Sequence, residues 1–348
     1  MTTTTILAKP NNVNLVGLTK TDYKGLPSTL CNGCGHDSIA SQIIVVGYDL
    51  SLPPHRIAKF SGIGCSSKSP AYFLGRSHAL NGTHGRMPAL ATGAMVANKD
   101  LIGVGVSGDG DTGSIGLGQF KHMLRRNINM VYIIENNGVY GLTKGQFSAT
   151  ADIGQELKYA GKNELPPIDL CLEAIVGGCG FVARSFAGDP KQVQALLKSA
   201  FAYRGLAIID IISPCVTFNN RDESTKSYTW GKEHVDPLHD VTVVPTREEI
   251  HVDYDAGQQT TVELHDGSRV LLQKLAREYD PTNRAGALAV LEEARAKQLL
   301  ITGLLYFNAD QPPLPEVQNL VTTPLALLPP QALRPSRASL EEILAENR

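Results

Sequence analysis

The chain has 348 residues, of which 42% are apolar and 19% charged, and its formal net charge is −2. These are the proportions of an ordinary globular protein that can bury one substantial core plus an appendage. They exclude the charge signature of a nucleic-acid binder, and no apolar run is long enough to span a bilayer. The first residues have neither the basic start nor the long apolar stretch of a secretion signal, so a cytoplasmic location is expected. In that compartment six cysteines point to metal or redox chemistry rather than to disulfides.

Residues 1–25 read as a polar arm. Cys31-Asn32-Gly33-Cys34 comes next in a glycine-rich loop, a pair that can present two sulfurs to one zinc ion or one iron–sulfur cube. A thioredoxin-type pair is disfavoured because no strand precedes it. The pattern then predicts a helix over 37–48 and a buried strand over 57–60, running into Gly62-Ile63-Gly64-Cys65-Ser66. Lys68 lies a few residues on. His84-Gly85-Arg86 marks another glycine loop; a histidine there suits acid–base work and an arginine suits a carboxylate or phosphate. His36 is the weaker histidine candidate. A helix over 88–98 leads to the apolar run 101–106.

That run ends in Gly108-Asp109-Gly110-Asp111. A helix over 116–126 comes after it, with Arg125 and Arg126 read as a solvated end favoured by the dipole. The strand 130–134 then ends in Glu135-Asn136-Asn137-Gly138-Val139-Tyr140. Both polar clusters therefore stand at carboxyl ends of buried strands, where open α/β sheets place their ligands. Asp109 and Asn137 offer the hard oxygens that Mg²⁺ takes when phosphate oxygens also hold it. Glycines and a helix start beside them suit a diphosphate.

Farther along, an apolar helix over 170–176 carries Cys171, with Cys179 beside it; both read as small buried hydrophobes. A helix over 191–203 and a strand over 206–212 lead to Ser213-Pro214-Cys215. The alternation of strands and helices predicts an α/β fold with a mainly parallel sheet covered on both faces. A polar loop begins at Asn219. Residues 248–275 alternate like strands around an Asp266-Gly267 turn signal, and 285–300 read as a helix. The stretch 312–335 holds seven prolines and ends in a short helical stretch over 340–346. Apolar residues between those prolines suggest an extension lying along a partner.

Twenty-five residues, 111–135, separate Gly110 from Asn136, and this segment resembles the thiamine-diphosphate (ThDP) binding motif. The whole series of loops is similar to the β subunit of the 2-oxoacid:ferredoxin oxidoreductases over about residues 25–235. The resemblance implies a ThDP-binding fold in which Asp109, Asn137 and the Val139 carbonyl ligate Mg²⁺. Ile63, Gly64, Cys65, Ser66, Gly108, Gly110, Asp111 and Leu142 would line the cofactor site. Cys31, Cys34, Cys65 and Cys215 would hold one [4Fe–4S] cluster, and His84 would touch cofactor or substrate. ThDP supplies a carbanion for a 2-oxoacid ketone, the cluster takes electrons one at a time for ferredoxin, and coenzyme A accepts the acyl group.

A cation at Lys68 and the stretch Gly141-Leu142-Thr143-Lys144-Gly145-Gln146 resemble the members acting on 2-oxoglutarate, whose second carboxylate must be paired when desolvated. Lys68, Leu142 and Lys144 are thus the expected substrate contacts, with Lys68 close enough to the chemistry to take part. A pyruvate or broad-specificity enzyme, and a non-redox ThDP subunit with structural zinc, are the alternatives. The implied divisions are an arm (1–25), a ThDP- and cluster-binding domain (26–235) and a C-terminal extension (236–348). The chain has room for only the diphosphate-holding half of a ThDP site, and Glu135 lies on the wrong loop to activate the aminopyrimidine. An α subunit must supply that glutamate, in an αβ or (αβ)₂ assembly.

Overall fold

The computed structural model describes residues 12–157, 160–218, 252–263, 269–276, 278–297 and 299–347. The start of the N-terminal arm, the polar loop beginning at Asn219 and the Asp266-Gly267 turn lie outside these residues. Among the described residues no helix is long and apolar enough to cross a membrane.

A nine-stranded sheet organises the molecule. Its first four strands are β1 (Ile57–Ser61), β2 (His78–Asn81), β3 (Ile102–Gly108) and β4 (Met130–Asn136). Two short hairpins come next, β5 (Val139–Tyr140) with β6 (Gln146–Phe147), and β7 (Glu156–Leu157) with β8 (Gly161–Lys162). The sheet continues with β9 (Phe181–Phe186), β10 (Leu206–Ile212), β11 (Gln259–Glu263), β12 (Arg269–Lys274) and β13 (Leu300–Phe307). Their spatial order is β11-β12-β13-β9-β10-β4-β3-β1-β2. All pairs from β9 to β2 are parallel; β13 is antiparallel to β9 and β11 to β12. Three strands of the C-terminal region thus extend the same sheet.

Strand periodicity explains the layering. Met130, Tyr132 and Ile134 of β4 pack with α2 (Met87–Ala97), α3 (Leu117–Arg126), α4 (Leu170–Val176) and the helix Arg284–Ala296. The alternate residues Val131 and Ile133 pack on the other face with α1 (Gly35–Asp49) and α5 (Pro190–Ala202). Burial on both faces makes β4 and β10 read as mainly apolar runs, broken by Asp210 in β10 and by Glu135 and Asn136 at the end of β4. Cys171 and Cys179 are fully buried in the first of these cores, as expected for inert thiols.

Three elements depart from the sequence reading. Helical backbone begins at Asp109 and passes through a π-helical turn, Asp111–Ile115, before α3, so it starts a full turn before residue 116. The helix read to Leu300 stops at Ala296, and Leu300 opens β13. Val252 and Tyr254 are irregular; only the later residues form the β11–β12 hairpin.

One buried ion-pair group ties the centre of the sheet to α4. Arg184 on β9 donates to Asp210 on β10 (2.9 Å) and to Asp169 (2.6 Å), which caps α4 by accepting from the amides of Cys171 and Leu172. Burial pushes Asp169 up, but Arg184 and those amides more than offset it and leave the carboxyl below its ordinary range. At Asp210 burial outweighs Arg184, and the carboxyl is raised. Arg184→Met leaves buried Asp210 and part-buried Asp169 without their cation and is expected to cost about 3–5 kcal/mol of stability. Denaturant unfolding measures this; a loss below about 1 kcal/mol would mean the group is no stronger than an exposed pair.

Candidate functional site

The sheet reverses direction of growth between β1 and β3: β2 lies on one side of β1 and β3 on the other. A crevice opens at such a switch point, beyond the strand carboxyl ends. The loops after β1, β3 and β4 meet there around a cavity of about 70 Å³. Every residue expected to hold the cofactor, from Ile63 to Leu142, lines this cavity, as does His84. His36, Glu135, Tyr140 and Thr143 line it too and were not singled out as cofactor contacts.

Asp109 lies just beyond β3 and is 1% exposed. Its Oδ1 accepts from the Asn137 amide at 3.3 Å, and its Oδ2 accepts from the hydroxyls of Ser148 and Thr150. No ion pair reaches it among the described residues. A buried carboxylate without a cation is costly, and the Asn137 side chain and Val139 lie beside it in the same cavity wall. That donor set fits a hard divalent cation. Asn137 Oδ1 accepts from the Val139 amide at 3.1 Å, which fixes the turn between them.

Asp111 has a different task. Its carboxylate accepts from the Gly85 amide (2.7 Å), the Ile63 amide (3.3 Å) and Ser107, and pairs with His84 Nδ1. A Cβ on Gly62 would collide with this carboxylate, so only glycine lets the β1 loop close on it. One acid thereby clamps the Gly62 and His84 loops to the helix start. Tyr140 adds a hydrogen bond to the Gly110 carbonyl (2.9 Å) and an edge contact to the His84 ring.

His36 and Glu135 form a buried polar group at the back of the cavity. His36 Nδ1 lies 2.5 Å from Ser213 Oγ and 3.5 Å from Glu135, while Nε2 faces the Asn137 side-chain Nδ2 at 3.4 Å. Burial pushes the His36 imidazole down to about 4, leaving it neutral at neutral pH. Burial pushes Glu135 well above the usual carboxylate range; Ser69 donates to its Oε2, and Oε1 has no partner among the described residues. In the sequence His36 stood only as the weaker histidine candidate, and Glu135 as a glutamate near the end of an otherwise apolar strand.

The cysteine loops converge beside the same wall. A Cβ built on Gly141 would lie 3.6 Å from Cys65 Sγ and 3.8 Å from Cys215 Sγ. The Gly35 amide reaches the Pro214 carbonyl (3.5 Å), tying the Cys31–Cys34 loop to the Cys215 loop, and Thr217 donates to Cys31 Sγ. Burial pushes the Cys34 and Cys65 thiols up, and each also feels the Cys215 sulfur. None of the four is in a disulfide, and a bound metal would have to displace the thiol protons. Among the described residues no three His, Cys, Asp or Glu side chains gather around a single-ion position. A [4Fe–4S] cube binds its thiolates at different iron corners, so the soft four-sulfur set is chemically suited to it.

Three expected contacts stand apart from the cavity. Lys68 does not line it, and its Nζ reaches Thr29 Oγ1 (3.3 Å), though its charge is felt at Cys65. Lys144 is exposed beyond Thr143 with positive φ. Arg86 caps α2 and touches the Gly85 and Ile115 carbonyls. A larger cavity of about 270 Å³ lies behind Asn136, walled by Thr150, Asp169, Arg184 and Leu291, and includes none of the expected site residues.

Residues 62–211 match the family model described as thiamine pyrophosphate enzyme, C-terminal TPP binding domain. The chain is similar to the 2-oxoacid:ferredoxin oxidoreductase subunit beta of a Sulfolobus species, 37% identical over 283 residues, covering 78% of this chain and 90% of that one. It is 37% identical over 197 residues to the 2-oxoglutarate synthase subunit KorB of Methanocaldococcus jannaschii, covering 56% and 72% of the two chains. Among solved structures it is similar to the 2-oxoglutarate:ferredoxin oxidoreductase from Magnetococcus marinus with 2-oxoglutarate, coenzyme A and succinyl-CoA bound. There the TM-score is 0.72 and identity 28%, covering 95% of this chain and 96% of that one.

Proposed function

The chain belongs to the family of 2-oxoacid:ferredoxin oxidoreductase β subunits, and from that premise we propose that it oxidises 2-oxoglutarate to succinyl-CoA and CO₂. Electrons would leave through one [4Fe–4S] cluster to ferredoxin, and the reaction is reversible in principle. The observation that carries this reading is that Cys65, one of the four converging cysteines, lines the same cavity as Asp109, Asn137 and Val139.

Asp109, the Asn137 side chain and the Val139 carbonyl would hold Mg²⁺ against a diphosphate, with the Gly108–Gly110 backbone beside it. Cys31, Cys34, Cys65 and Cys215 would hold the cluster. When bound, ThDP supplies a carbanion for the ketone of the 2-oxoacid, and the cluster supplies a one-electron acceptor nearby. This chain's residues orient those groups. Asp111 locks the loops around the cofactor, and neutral His36 braces Asn137 against Ser213. His84, held by Asp111 and open to the cavity, is placed to exchange a proton with substrate.

The names of the relatives call for a partner α subunit, which would complete the site with a second domain and its glutamate. The substrate reading is supported by the 2-oxoglutarate names among relatives and by the cation at Lys68 beside the Cys65 loop. Lys68→Ala should raise KM for 2-oxoglutarate about tenfold or more while leaving pyruvate turnover unchanged. Equal losses with both acids would remove the specificity argument. The function itself is tested by co-purifying the chain with its partner and assaying CoA-dependent viologen reduction across a panel of 2-oxoacids.

A further inference from the structure

Building on the cofactor reading above, we propose that Ser148 and Thr150 are positioning residues that hold Asp109 for its metal, so that Mg²⁺ affinity depends on their two hydroxyls. Both are nearly buried, at 7% and 5% exposure, and neither lines the cofactor cavity. Whatever they do for the cofactor passes through Asp109.

The hydrogen bonds on Asp109 are unequal. Ser148 Oγ and Thr150 Oγ1 (2.6 Å) both reach Oδ2, whereas among the described residues Oδ1 receives only the Asn137 backbone amide at 3.3 Å. Two charge-assisted hydroxyl bonds occupy Oδ2 and fix the carboxylate plane. Oδ1 is left with lone-pair capacity on the side of the Asn137 loop. Thr150 Oγ1 also lies 2.8 Å from Asn136 Oδ1. A hydroxyl has one proton, and the shorter bond to the charged acceptor claims it. Asn136 is itself secured by donating to Asp210 Oδ1 (3.0 Å).

The segment is built to present these hydroxyls. Ser148 and Thr150 stand two residues apart just after β6, in a turn closed by the Ala151 amide on the Ser148 carbonyl (3.2 Å), and both hydroxyls reach Asp109. Between them the Ala149 carbonyl accepts from the Ile168 amide (2.8 Å), and Asn163 donates to the Ala151 carbonyl (3.0 Å). The hydroxyls are therefore preorganised and do not need the metal to place them. Residues that orient a metal ligand in this way typically control affinity by about 10–100-fold.

Titration calorimetry of ThDP binding at stepped Mg²⁺ concentrations tests this in the complex of the chain with its partner subunit. Thr150→Val keeps the shape and removes the hydroxyl; it should raise the Mg²⁺ concentration for half-maximal ThDP binding about 10–100-fold. Ser148→Ala should shift it in the same direction, and Thr150→Ser should restore the wild-type requirement. An unchanged Mg²⁺ requirement in Ser148→Ala and Thr150→Val, or a Thr150→Ser variant as impaired as Thr150→Val, overturns the inference. If Thr150→Val does not assemble, Ser148→Ala alone decides by the same shift. A wild-type complex that binds no ThDP overturns the cofactor reading and this inference with it; normal wild-type binding with unshifted variants overturns this inference alone.

Discussion

Asp109→Ala is expected to purify with its partner subunit carrying iron and sulfide but no ThDP, and to have no 2-oxoacid activity. The carboxylate is the only acidic member of the Asp109–Asn137–Val139 set, and it is buried with no ion pair among the described residues. Removing it takes away the charge that draws the cation, so the loss should exceed the roughly 100-fold upper range for a residue that merely supports a ligand. The Ser148 hydroxyl would lose this acceptor, costing about 1–3 kcal/mol at most, whereas Thr150 keeps Asn136 Oδ1 within reach at 2.8 Å. Folding should survive, because the carboxylate was itself costly to bury. Fluorescence assay of extracted thiamine, beside iron analysis, checks the outcome. Retention of ThDP at wild-type level would remove Asp109 from the metal site.

Cys215→Ser is expected to do the reverse: ThDP remains bound while iron and viologen reduction are lost, again beyond about 100-fold. Cys215 is the informative choice because it lies in the sulfur group near Gly141 but does not line the ThDP cavity. Cys65 belongs to both, and its replacement would confound the two sites. A serine oxygen is a harder, more basic ligand than a thiolate and holds a cluster poorly. Substrate binding, monitored by calorimetry with 2-oxoglutarate, should stay near wild type. Full activity in Cys215→Ser would place the electron acceptor elsewhere. Together the two variants separate the half-site for the cofactor from the half-site for electrons.

The strands that carry these loops could be read from the sequence because both faces of the sheet are buried. Leu206–Ile212 is apolar at almost every position and forms β10 over the same span. The misses have physical causes. All of β2 is exposed at the sheet edge and shows no apolar pattern. In β9, Arg184 and Ser185 interrupt the run, and Arg184 is accommodated only because Asp169 and Asp210 come from other elements. No glycine or proline separates the helix Arg284–Ala296 from β13, so the two read as one helix.

The site shows the same division. Glycine and Asp/Asn spacing marked the loops after β3 and β4, because those residue types are dictated by backbone geometry and ligand chemistry. His36 and Glu135, Ser148 and Thr150 act through partners far away in the chain, a relation that no local pattern encodes. His36 meets Ser213 across 177 positions, and Ser148 meets Asp109 across 39. Asp111, expected on the cofactor, is most clearly the residue that closes the loops around it.

If the cavity at Asp109 and the cysteines at its wall work as one electron-transferring unit, substrate alone must reduce the cluster. Electron paramagnetic resonance reads this directly on the anaerobically purified complex, frozen after 2-oxoglutarate and coenzyme A are added with no external acceptor. The complex should hold about four irons and four sulfides per β chain. A reduced-cluster signal should appear on adding substrate and be absent in both Asp109→Ala and Cys215→Ser. Zinc in place of iron, with no signal on adding substrate, would contradict a shared unit.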